Sequence, residues 1–254
     1  MAQEHTAPVH GEHEETYTGL NHRKMLMWAF LGSDCMFFGS LIATYLVYKG
    51  KSLSGALPMD VFDIPVTSVS TFVLLISSMS MVLAYAALTR GNIKGFRIWM
   101  VSTAIMGSTF IGFQVYEFAS FANYHVHFEC SEIGERIAQG KHVKPGDEHF
   151  FNKECIDENG LVKTDHHVDE KYGLKPQTNL FGTTFFTLTG FHGAHVTLGV
   201  VWLLSIFFLS FKRGIVTPEK NLDLDLAALY WHFVDVVWIV IFTVVYLFGV
   251  FPGY

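Results

Sequence analysis

The chain has 254 residues, of which 50% are hydrophobic and 16% charged, with a net charge of -6 at pH 7 and a mean hydropathy of +0.32. A charged fraction that far below the roughly 25% of an ordinary soluble domain places most of the chain in a membrane, as a single bundle. No basic stripe with interleaved aromatics is present, which excludes nucleic acid as a partner, and three Cys without CxxC or CxxCH exclude a thioredoxin-like site and covalently attached c-type haem.

Residues 1–24 are polar, with Glu4, His5, His10, Glu12, His13, Glu14 and Glu15. No cleavable signal is written there, so the first span is expected to act as its own uncleaved insertion signal. That span, Met25 to Tyr48, carries Asp34 near its middle. Gly32, Ser33, Gly39 and Ser40 allow close helix approach, so Asp34 is expected to face the bundle. The second span, Ser68 to Leu88, has no charge but holds Ser70, Ser77, Ser78 and Ser80, and reads as a packing helix. The third, Ile98 to Phe121, bears Gln114 and Glu117 three apart on one face.

Residues 122–179 form a polar insert rich in His, Glu and Gly, with no apolar run long enough to cross. It is expected in water, as one long loop or a small appended subdomain. The fourth span, Phe181 to Phe211, carries His192 and His195 three apart. The fifth, Leu226 to Val250, would make a helix of roughly 37 Å, enough to cross a hydrocarbon core of about 30 Å with some tilt. Its ionisable groups, His232 and Asp235, share a face, where a buried imidazole and carboxylate can satisfy each other. Such a pair either anchors helices or belongs to a proton or ligand path.

The chain thus divides into a tail (1–24), helices 1 to 3 (25–121), the insert (122–179) and helices 4 and 5 (180–254). Arg23 and Lys24, then Arg90, Lys94 and Arg97, then Lys212, Arg213 and Lys220 all fall on one side, against Lys49 and Lys51 opposite. The tail is therefore expected to be cytoplasmic, and the insert and carboxyl terminus outward. Cys130 and Cys155 lie in the outward insert, where thiols oxidise, and are expected to staple it; free or metal-bound thiols are the alternative.

Six ionisable residues sit within or at the edge of the spans: Asp34, Glu117, His192, His195, His232 and Asp235. Two His and an Asp suit a metal, and HxxH on a helix puts both rings on one side. Three intramembrane His are too few for two bis-His haems, or for a haem beside a three-His copper centre. A metal-ion transporter is the competing reading, drawn from this set together with His125, His127, His142, His149, His166 and His167. No Pro interrupts any span, which counts against it.

YWHFVDVVW at 230–238, followed by IFTVVYLFG, together with TGFHGAHVTLG at 189–199, resembles the last two helices of subunit III of the haem-copper terminal oxidases. FIGFQVYEF at 110–118 is similar to that family's Gln/Glu-bearing helix, and FLGSDCMFFGSLIATY at 30–45 to its acidic-residue helix. The resemblance covers all five spans. It implies an all-α polytopic bundle of the bacterial five-helix form, in the cytoplasmic membrane, with no catalytic, cofactor or metal residue of its own. It further implies haem and copper held by partner chains, packing against subunit I and other oxidase subunits, and bound phospholipid in a cleft between helices. Sustained proton uptake and turnover during reduction of oxygen to water is the implied role, with cytochrome c or quinol as donor. Asp34 matches the family's buried carboxyl, and Glu117, His192, His195, His232 and Asp235 its interior polar positions.

Two departures stand out. Asp34 replaces the commoner Glu, as in similar quinol-oxidase subunits. The insert replaces a short connection, and its excess of acidic residues suits either a solvated loop kept soluble by its charge or docking of an electron carrier or a neighbouring complex.

Overall fold

A computed structural model of the chain describes residues 21–48, 62–123, 125–141, 151–171, 174–176, 180–212, 214–218 and 221–250. The tail up to residue 20, Lys49, Lys51, His142, His149, Arg213 and Lys220 lie outside the described residues, as do the side chains of His125 and His127. The elements run α1 (His22–Tyr48), α2 (Ile64–Thr89), α3 (Ile93–Ala122), β1 (His125–Glu129), α4 (Cys130–Ala138), β2 (His167–Lys171), α5 (Leu180–Leu209) and α6 (Leu222–Ile241). α6 continues through a π-helical segment, Phe242–Leu247. Five helices, namely α1, α2, α3, α5 and Leu222–Leu247, are long and apolar enough to cross a membrane.

Apolar runs locate the spans, but capping groups set where three of them begin or end. α2 starts at Ile64 because Asp63 accepts from the Val66 N–H and Pro65 occupies the first turn. α3 starts at Ile93, with the Asn92 side chain accepting from the Gly95 N–H at 3.0 Å. Between α2 and α3, Gly91 takes φ +76°, a conformation that glycine adopts without penalty, and the resulting tight turn lays the two helices side by side. α5 stops at Leu209, short of the apolar Phe211, where Ser210 enters a turn.

α3 packs on α5, α5 on α6, α2 on α6, and α1 against α5 and α6. Outside the bundle, Leu26, Met36, Phe72, Ile98, Tyr116 and Phe208 stand exposed, as a lipid- or protein-facing surface requires. Helices already in hydrocarbon gain nothing by transferring apolar surface, so cohesion comes from dispersion and buried polar contacts. The centre is Trp231, 1% exposed. A Cβ on Gly107 would stand 2.5 Å from its Cη2, and one on Gly199 2.9 Å from its Cζ3. Both glycines are therefore demanded by the indole, which lets α3, α5 and α6 close around it. At one end Arg23 and Lys24 of α1 pair with Asp223 and Asp225 in the first turn of α6, at 2.6 and 2.7 Å. Acidic groups there also suit the helix dipole.

The insert folds as a small subdomain. β1 and β2 pair antiparallel, from His125 opposite Lys171 to Glu129 opposite His167. Cys130 and Cys155 are joined by a disulfide with Cα atoms 5.4 Å apart, within a small core containing Ile133 and Phe151. The Leu174 N–H donates to the Phe121 carbonyl at 2.9 Å, tying the insert to the end of α3. Asp157 Oδ1 accepts from the N–H groups of Leu161 and Asn159, each at 2.8 Å. Those bonds, that to Leu161 foremost, hold its carboxyl below the usual carboxylate range. Its turn thus gains stability above the ordinary carboxyl pKa and loses it as pH falls through the depressed one. Closing a loop across 25 positions constrains the unfolded insert by about 3.5 kcal/mol in the chain-entropy model. Cys130→Ser with Cys155→Ser is expected to expose the insert to limited proteolysis while the membrane helices stay protected; equal resistance in both forms would contradict this.

A polar seam through the helix bundle

The polar residues of the spans fall into three clusters, each joining different helices. The first lies where α1, α5 and α6 meet. Asp34, 9% exposed, has Oδ2 at 3.2 Å from His195 Nε2. This atom has no aligned hydrogen bond, and the contact is an ion pair only when the imidazole is protonated. His195 Nδ1 lies 2.7 Å from the Phe191 carbonyl one turn back. A carbonyl only accepts, so Nδ1 must carry a proton; in the neutral ring Nε2 is then an acceptor, and its contact with Asp34 is attractive only with a further proton on one of the two groups. The Tyr230 hydroxyl donates to the His195 carbonyl at 3.0 Å, adding α6 to the same junction.

His192, one turn from His195, has a different environment. Its ring is fully buried, stacked on Trp238 at 4.8 Å and edge-on to Phe110. Neither ring nitrogen has a hydrogen-bond partner. The HxxH spacing therefore does not assemble a ligand pair: one ring faces an aromatic core and the other a carboxylate.

The second cluster corrects the expectation that His232 and Asp235 satisfy each other. His232 Nδ1 lies 3.2 Å from Ser78 Oγ, and Ser78 is also a neighbour of the Asp235 carboxylate. Residues three apart are offset by about 60° around a helix, and α2 puts a hydroxyl between them. The Ser78 hydroxyl can donate to His232 Nδ1 or accept from its N–H, according to the tautomer. Asp235 Oδ1 has no partner. Beside them the Trp231 Nε1–H donates to Ser77 Oγ at 3.0 Å, and the Trp238 Nε1–H to Thr71 Oγ1 at 3.0 Å. α2 is thus a hydrogen-bonding helix as well as a packing one. Thr67, Ser70, Thr71, Ser77 and Ser78 recur at spacings of three, four and seven, a signal that was available in the sequence.

The third cluster surrounds Glu117. Its carboxylate accepts from the Thr67 hydroxyl and from the Tyr246 hydroxyl at 3.1 Å. Tyr246 belongs to the π-helical segment, where one extra residue per turn redirects side chains and leaves carbonyls unpaired; the Val245 carbonyl there accepts a long bond from Tyr45 at 3.4 Å. Gln114 points elsewhere, its Nε2–H donating to the Thr189 carbonyl of α5 at 2.8 Å. The Gln114/Glu117 face therefore links α3 to α5, to α2 and to the final helix.

Among the described residues no group of three or more His, Cys, Asp or Glu is placed to hold a metal ion. Carboxylates, imidazoles and hydroxyls in this seam can hold protons and join helices.

Five apolar helices joined by buried hydrogen bonds define a multi-pass membrane protein. The family model of cytochrome c oxidase subunit III matches residues 173–250. Quinol oxidase subunit 3 of Bacillus subtilis is 33% identical over 87% of this chain and 85% of its own length. Cytochrome c oxidase subunit 3 of Bacillus sp. (strain PS3) is 32% identical, over 96% and 94%. Cytochrome bo(3) ubiquinol oxidase subunit 3 of Pseudomonas aeruginosa is 30% identical, over 98% and 97%. The chain belongs to the subunit III family of the haem-copper terminal oxidases. That membership replaces the transporter reading.

Proposed function

We propose that this chain is the cofactor-free subunit III of a proton-pumping terminal oxidase, stabilising a haem- and copper-bearing subunit I and supporting its proton uptake. The observation that carries this reading is a full-length relation to oxidase subunits 3 in a chain whose buried polar groups tie helices to one another. Asp34, Gln114, Glu117, His192, His195, His232 and Asp235 are read as interior polar positions, none of them a redox ligand. The chain would sit in a bacterial cytoplasmic membrane with its amino terminus inside and the insert outside, and would carry bound phospholipid.

Cytochrome c is the leading donor. Quinol is the second reading, favoured by Asp34 at the family's acidic position and by the quinol oxidase subunits among the relatives. The insert is read as a docking surface for an electron carrier or a neighbouring complex. Deleting residues 130–170 is then expected to weaken that association and flatten its salt dependence. Unchanged association and salt response in an assembled complex would leave the insert without that role.

The reading is tested by removing the chain. An oxidase lacking it should begin oxygen reduction at the normal rate and then lose activity over successive turnovers. Undiminished activity through prolonged turnover would contradict the supporting role. Reduced cytochrome c and quinol, each supplied alone to the intact complex, identify the donor.

A further inference from the structure

The ladder of the insert sorts its residues by face. In an antiparallel pair, directly opposed residues share a face and every second residue along a strand returns to it. The register therefore places His125, His127 and Glu129 of β1 on one face with Lys171, Asp169 and His167 of β2. Val126, Phe128 and Val168 fall on the other face with Glu170. A face turned to water needs only polarity, which Lys, Ser or Thr supply as well as any residue. Two neighbouring pairs are instead of one composition, His127 opposite Asp169 and Glu129 opposite His167. Each offers one imidazole and one carboxylate, and the crossed order sets the two His on one diagonal and the two acids on the other. The third pair, His125 with Lys171, carries an ammonium group and ends the set.

Glu129 and His167 also have the spacing of metal ligands. His167 Nε2 lies 3.5 Å from Glu129 Oε1, with the two side chains 73% and 55% exposed. A charge-assisted hydrogen bond would draw these atoms to about 2.7–2.9 Å. Two ligands each about 2.0–2.1 Å from a tetrahedral zinc ion stand about 3.4 Å apart. This end of the ladder is also fixed in place. The Cys130 N–H donates to the His166 carbonyl at 3.1 Å, and Cys130 is joined to Cys155. Opposed residues of a ladder have Cβ atoms about 4.5–5.5 Å apart, and diagonal ones stand about 7–8 Å apart, so the register brings all four positions around one point. Imidazole nitrogen mixed with carboxylate oxygen is a donor set that zinc accepts.

We propose that this face of the ribbon binds a divalent transition-metal ion of the zinc type, with His127 and His167 as nitrogen ligands and Glu129 and Asp169 as oxygen ligands. The ion would clip β1 to β2 and takes no part in electron transfer, so the inference stands or falls apart from the donor, turnover and docking readings. Calorimetric titration of Zn²⁺ into the chelator-washed intact complex tests it. The expected result is one Zn²⁺ per complex that a variant carrying both His127→Ala and His167→Ala does not bind. Each single change, and the shape-conserving Asp169→Asn, should weaken that site at least about tenfold, since even an outer-shell change costs 10–100-fold in metal affinity. Glu170→Gln, on the opposite face, should leave it unchanged. Limited proteolysis without metal should cut the insert of each variant as it cuts that of the wild type, which separates lost ligands from lost folding; where a His variant is cut faster, Asp169→Asn decides. Equal Zn²⁺ uptake by wild type and double variant, or a site weakened as much by Glu170→Gln, would overturn the proposal.

Discussion

Gly107→Ala is expected to be among the most damaging single-methyl changes in this chain. The new Cβ would stand 2.5 and 2.9 Å from two carbons of the Trp231 indole and 2.9 Å from Val200 Cγ2. Overpacking a rigid aromatic centre costs about 1–3 kcal/mol, more than the roughly 1 kcal/mol that alanine gains over glycine within a helix. Trp231→Phe removes the ring that clashes, so the double variant should be less destabilised than the sum of the single changes. Thermal unfolding of the purified complex in detergent checks this. Strict additivity would mean that Gly107 and Trp231 do not share the contact described.

Glu117→Leu is the second large effect. It leaves the fully buried Tyr246 hydroxyl without its acceptor, at about 1–3 kcal/mol for an unsatisfied buried group. The Thr67 hydroxyl is less affected, since it also bonds the Asp63 carbonyl at 3.1 Å. Glu117→Gln keeps an acceptor oxygen and should cost less. Adding Tyr246→Phe to Glu117→Leu removes both partners and should recover much of the loss, because a matched apolar pair leaves nothing unpaired. Thermal melting of the wild type, Glu117→Leu, Tyr246→Phe and the double variant gives the coupling directly, and no recovery in the double variant would contradict the Glu117–Tyr246 bond.

How far these effects could be foreseen from sequence depends on the range of the interaction. The five spans were legible because each is an unbroken apolar run, and membrane crossing depends on length and hydropathy alone. The disulfide was legible because only Cys130 and Cys155 lie in the insert. β1 and β2 were not: each is five residues long, and their partners stand 38 or more positions apart, so no local period announces the pairing. The same limit applies to the seam. Asp34 and His195 belong to helices far apart in sequence, and the hydroxyl that meets His232 beside Asp235 comes from Ser78 on another helix. Pairing His232 with Asp235 rested on spacing within one helix, which says which residues share a face but not what the facing helix inserts between them. Gly107 and Gly199 likewise look like ordinary small residues until the indole is placed against them.

This chain is proposed to work as a subunit of a haem-bearing oxidase while binding no haem itself. It is tested most directly by tagging the chain, purifying it from its native membrane in mild detergent, and recording the reduced-minus-oxidised optical spectrum and oxygen consumption. The expected result is a stoichiometric complex with a larger polytopic chain, haem absorption bands and oxygen reduction, with those bands absent from the tagged chain expressed alone. Isolation of the chain from its native membrane without any haem-bearing partner, or a Soret band in the chain expressed alone, would contradict it.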